Sequence, residues 1–128
     1  MKRYIRVSVC LTVLVAAGCS GSTSPLCTAE FRFGLSVYVN DSVTNAPIAS
    51  GASLVARDGS FADSVTFPSS RSDLDALPLV SAGEREGTYQ ISVLKPGYLS
   101  WSRSNLLITR NECHVNPVRL TALLRRAN

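Results

Sequence analysis

From Phe31 to Asn40 the chain alternates. Phe31, Phe33, Leu35, Val37 and Val39 fall on one side, and Arg32, Gly34, Ser36, Tyr38 and Asn40 on the other. A period of two marks a strand with one face buried, and a helix cannot present it. Thr88 to Lys95 repeats the pattern, with Tyr89, Ile91 and Val93 inward and Gln90, Ser92 and Leu94 outward. Ala52 to Arg57 is a shorter strand with Leu54 and Ala56 on one face. Asp58-Gly59 is a hairpin-turn signal, and Phe61, Asp63, Val65 and Phe67 read as the returning strand. Leu74 to Val80, interrupted by Pro78, fits an irregular edge strand better than a helix. Leu106 to Thr109 and Val115 to Leu120 supply the last strands on either side of a turn at Arg110 to Glu112. Nowhere does a 3.6-residue period last three turns. Short strands divided by frequent turns predict an all-β fold of two packed sheets with about seven strands.

The first residues follow a different logic. Lys2, Arg3 and Arg6 form a basic cluster, and Val7 to Ala17 is mostly apolar. That order is a secretory signal peptide. The apolar run is about 11 residues, roughly 17 Å as a helix, whereas a spanning helix needs about 20 residues. The sequence Ser20-Gly21-Ser22-Thr23-Ser24-Pro25 then lacks any apolar period and reads as a flexible tether.

Charge narrows the partners. The formal net charge is +4, but removing Lys2, Arg3 and Arg6 with the signal leaves 10 basic residues against 9 acidic. No basic run interleaved with aromatics remains, so nucleic acid is not an expected partner. Export also bears on the cysteines. Cys10 lies in the signal segment and Cys19 at its end, the residue read below as lipidated, which leaves Cys27 and Cys113 flanking the domain. An even pair in an oxidising compartment argues for a disulfide. A metal site needs more ligands: His114 adjoins Cys113, but it is the only histidine and no Cys-x-x-Cys pair exists.

Catalysis finds little support. A Ser-His-Asp arrangement needs a base, and only His114 is available. Asp73 and Asp75 share one face of an extended segment, a pattern compatible with weak calcium binding but more often a solvated loop. There is no phosphate-binding glycine loop, so no cofactor is expected. The chain reads as non-enzymatic, and a pocket around His114 with a buried acid would reverse that reading. For binding, Tyr38, Tyr98 and Trp101 are the aromatic candidates, able to stack on a glycan or grip a protein if exposed, or to cap the core if not. Arg103 and Arg110 are candidates for an anionic partner, with a solvated face as the alternative, and Arg125-Arg126 reads as a frayed tail.

Two resemblances sharpen this. Val15-Ala16-Ala17-Gly18-Cys19 resembles the lipobox of bacterial lipoproteins, with Ala16 where leucine is usual. The resemblance implies cleavage before Cys19 and acylation of its sulfur, anchoring the chain to membrane lipid. It also implies a cell-envelope address, with Ser20 favouring the outer membrane, facing the periplasm or the surface. An ordinary signal peptide with an incidental Cys19 is the alternative. The stretch Val37-Tyr38-Val39-Asn40-Asp41-Ser42-Val43-Thr44-Asn45-Ala46-Pro47-Ile48, then Gly51 to Val55, then Gly87-Thr88-Tyr89-Gln90-Ile91-Ser92-Val93-Leu94-Lys95-Pro96-Gly97-Tyr98, resembles the carboxypeptidase regulatory-like domains. That family implies a Greek-key, transthyretin-like sandwich without catalytic residues of its own, accompanying peptidases, transporters and surface proteins. The expected organisation is a signal over 1–18, a tether over 19–26, a sandwich over 27–124 and a tail over 125–128. The expected role is a structural or protein-binding envelope module. The alternatives are a carbohydrate- or peptide-binding module and an accessory subunit of an envelope transport or peptidase complex.

Overall fold

The computed structural model describes residues 25–128, and the expected signal segment and lipidation at Cys19 fall outside them. Seven strands form two sheets. They are β1 (Phe33–Asp41), β2 (Ser53–Asp58), β3 (Phe61–Thr66), β4 (Leu79–Gly83), β5 (Gly87–Leu94), β6 (Trp101–Ile108) and β7 (Val118–Leu124). One sheet has the order β4-β1-β7 and the other β3-β2-β5-β6. The expected all-β two-sheet arrangement is therefore present.

The alternating strands face each other across the core. Leu35, Val37 and Val39 of β1 are fully buried against Leu54 and Ala56 of β2 and Tyr89, Ile91 and Val93 of β5. Phe31 and Phe33 depart from the expected pattern. They are 63% and 43% exposed and stack edge to face, with Phe31 over the bare backbone of Gly83. They lie where β1 enters the sandwich, beyond the reach of the opposite sheet. The Asp58-Gly59 hairpin forms as expected, with Asp58 opposite Phe61 and Gly59 at φ 57°.

Three boundaries move, each for a local reason. The last strand starts at Val118, not Val115, because Pro117 has no N–H to give a ladder. The 74–80 segment splits into a 3-10 turn, Ser72–Leu74, and β4, which begins after Pro78 and runs to Gly83. β6 begins at Trp101, five residues before its apolar end, because Ser102 to Asn105 are exposed and carry no alternation.

The pairing of β1 with β7 is parallel, from Leu35 opposite Val118 to Asp41 opposite Leu124. Parallel strands begin at the same pole. The segments leading into β1 and β7 therefore meet there, and Cys27 and Cys113 are joined with Cα atoms 5.2 Å apart. The expected disulfide forms. At the opposite pole lie the end of β1, the start of β2, the end of β5 and residues 125–127. These last residues do not fray: Leu99 N–H donates to Arg125 C=O at 2.8 Å and Ala127 N–H to Gly97 C=O at 3.0 Å. Among the described residues, no helix is long and apolar enough to cross a membrane.

Candidate functional site

The disulfide pole carries a polar knot that the sequence did not announce. Glu84 sits in a left-handed conformation, φ 47°, just past β4. Its carboxylate accepts Arg32 N–H at 2.8 Å, Val115 N–H at 3.4 Å and the His114 ring at 2.8 Å. A carboxylate only accepts, so His114 Nδ1 is the donor. Nε2 then faces the Thr28 hydroxyl at 3.2 Å. The His114 bond, with the two backbone donors, holds the Glu84 carboxyl below its ordinary pKa, against the opposing effect of desolvation. Hydroxyl, imidazole and carboxylate stand in the order of a nucleophilic triad. Here every partner instead fastens one chain segment to another: the N-terminal strand approach, the β4–β5 turn and the β6–β7 loop. Of three cavities that indent the surface among the described residues, none is lined by Thr28, Glu84 or His114.

The opposite pole is built around Asp41, the last residue of β1, which is 3% exposed. One carboxylate oxygen accepts Val43 N–H at 2.9 Å and Thr44 N–H at 3.1 Å. The other accepts the Tyr98 hydroxyl at 3.2 Å and Arg126 Nε at 3.3 Å. The Thr44 and Val43 amides, with support from Tyr98 and Arg126, lower its pKa to about 2. Beside it lies the largest of the three cavities, about 510 Å³, with Leu94, Pro96 and Tyr98 as apolar wall and Ser53, Thr66 and Lys95 as polar rim. Lys95 Nζ donates to Ser50 C=O. A concave, largely apolar space with a few fixed polar groups is the usual form of a small binding site.

The candidate residues are not gathered into one site. Tyr98 and Trp101 are half-buried and pack against the core, while Tyr98 also lines the cleft. Tyr38 is 36% exposed on β1, in the other sheet. Arg103 is exposed on β6 and makes no salt bridge among the described residues. Asp73 and Asp75 part company: Asp73 pairs with Arg71 at 2.6 Å, and Asp75 accepts Ser50 N–H at 2.7 Å. Among the described residues, no group of three or more His, Cys, Asp or Glu side chains is placed to hold a metal ion. Asp41 and Glu84, which organise the two poles, were not among the candidates. Asp41 lies inside the quoted Asn40-Asp41-Ser42 motif, and an acid two and three residues before turn amides is a signal for capping that could have been read.

No family model matches the chain, and no curated protein matches it.

Proposed function

We propose that this chain is a non-catalytic module of a bacterial cell envelope, held to the outer membrane through an acylated Cys19. Its sandwich is read as transthyretin-like, of the carboxypeptidase regulatory-like kind, with a structural or protein-binding role. The observation that carries this reading is the polarity of the domain. The N-terminal segment enters at the pole closed by Cys27–Cys113, while the Tyr98 cleft lies at the far pole. A tether at one end leaves the other end directed away from the membrane. The half-burial of Tyr98 and Trp101 favours a protein partner over stacking on a glycan.

The test is the intact mass of the membrane-extracted protein, with and without reduction and alkylation. The expected mature chain begins at Cys19, carries lipid mass, and yields two alkylatable thiols only after reduction. An unlipidated product cut elsewhere overturns the anchor. Cross-linking in intact envelopes then identifies the partner. A carbohydrate- or peptide-binding role through the cleft is the second reading, favoured by the Tyr98 and Leu94 wall. In that case Tyr98→Ala abolishes ligand capture while leaving the membrane anchor in place.

A further inference from the structure

Two phenylalanines stand where the core cannot use them. Phe31 and Phe33 are exposed, and neither belongs to the core or to the side chains packed against it. Folding is driven by apolar area removed from water, so a ring left in water adds little to stability. The pair is nevertheless firmly placed. The rings meet edge to face with centroids 5.2 Å apart. Phe31 lies over Gly83, where any Cβ would collide with the ring. The chain is fixed on either side of Phe31: Arg32 N–H donates to Glu84 at 2.8 Å, and Cys27 is bonded to Cys113. Next to Cys27, Leu26 is fully exposed. Apolar surface held open in one place marks a contact with something else.

Position narrows what that is. Pro25 follows Cys19 by six residues, a reach of at most about 22 Å however the chain runs. A lipid on Cys19 therefore keeps the disulfide pole close to the bilayer, and so short a link gives the two rings a high effective concentration of lipid surface. The intervening Ser20-Gly21-Ser22-Thr23-Ser24 has no large apolar side chain to cover them. A second copy of this chain is a poor occupant. The two rings leave about 200 Å² open, whereas a stable pair buries about 800 Å² on each partner.

Charge selects the kind of surface. The segments that build this pole, 25–32, 83–87 and 109–116, carry Glu30, Glu84, Glu86 and Glu112 against Arg32, Arg85 and Arg110. That balance gives anionic headgroups no hold, because recognition of acidic lipid needs clustered Lys and Arg.

We infer that Phe31 and Phe33, with Leu26, form a wedge that enters the interfacial layer of the bilayer beside the acylated Cys19. Apolar burial drives the contact, which is indifferent to lipid charge. Seating this pole on the lipid holds the domain upright and points the Tyr98 cleft away from the bilayer. The inference rests on the lipid-anchor reading above and adds a second contact to it.

The test uses residues 19–128 with the disulfide intact, coupled through the Cys19 thiol to a maleimide lipid in phosphatidylcholine vesicles. Trp101 is the sole tryptophan, so Phe31→Trp in a Trp101→Phe background puts the one indole in the wedge. Coupling is expected to shift its emission to the blue and to open it to quenching by lipids brominated along their acyl chains, at low and high salt alike. Adding Phe33→Ser is expected to reduce that quenching several-fold with the circular dichroism unchanged. Trp101 of the unsubstituted chain is expected to stay unquenched. If Phe31→Trp misfolds, hydrogen exchange at residues 28–34 of the unsubstituted chain reads the same contact: slower exchange on coupling is expected, and equal exchange overturns the inference. An indole that stays in water, quenching of Trp101 instead, or quenching that needs phosphatidylglycerol and fades with salt also overturns it. So does self-association of the uncoupled chain in sedimentation that Phe33→Ser abolishes. The chemical link makes these outcomes independent of whether the cell acylates Cys19, which intact mass decides separately.

Discussion

Asp41 shows how much one side chain can settle. Its carboxylate ends β1, caps the following turn through two amides and ties Tyr98 and Arg126 to the same point. Because its pKa falls to about 2 on folding, from an ordinary 3.8, the charged form favours the folded chain. That contribution is complete above about pH 4 and is lost as the pH falls through 2. Asp41→Asn keeps the shape but removes the charge. The variant is expected to melt on the order of 5 °C lower at pH 7, and to flatten the decline in Tm between pH 4 and pH 2. Thermal melts across that range check it, and an unchanged acid limb counts against the role. Gly34 makes the complementary point about space. A Cβ there would lie 2.9 Å from Ile108 Cγ2 and 3.0 Å from the Ala82 carbonyl oxygen, so the position has no room for a side chain.

Among elements, the strands with clean alternation were legible. β1, β2, β3 and β5 fell within a residue or two of their expected limits, because a period of two with turn residues at each end has few other solutions. β4, β6 and β7 were harder for separate reasons. β4 is short, and its buried Ser81 breaks the apolar pattern. β6 carries four exposed residues, Ser102 to Asn105, directly after Trp101 and so shows no alternation there. β7 is displaced by Pro117. The candidate site was legible only as a list of side chains. Their separation onto different sheets depends on strand order, which local pattern does not encode. The disulfide was the long-range feature within reach, because it follows from cysteine count and compartment rather than from topology. Its sequence separation of 86 implies about 4–5 kcal/mol of stabilisation on the loop-entropy account. The double variant Cys27→Ser with Cys113→Ser is therefore expected to lose roughly that amount in urea unfolding. A loss under about 1 kcal/mol would show that the Glu84–His114 knot alone holds the pole together.

At the scale of the whole molecule, the parallel partnership of β1 and β7 sets more than the position of a bond. It places Cys113 at the pole where the N-terminal segment enters and Asn128 at the other. A pull applied between the two ends enters through Cys27, crosses the disulfide to Cys113 and leaves along β7. The backbone of residues 28–112 lies off that route, and these residues bear load only through their bonds to β7 and to residues 125–127. β7 is already extended, so little slack remains to be drawn out. Held between Pro25 and Asn128 in an optical trap, the oxidised domain is expected to release at most the residues after Cys113, about 50 Å of chain. After reduction, a step on the order of 300 Å is expected as the bypassed residues join the route. A long step from the oxidised protein would show that the load takes another path. A domain built this way acts under tension as a short, nearly inextensible link, with most of its sandwich kept folded while the connection is strained.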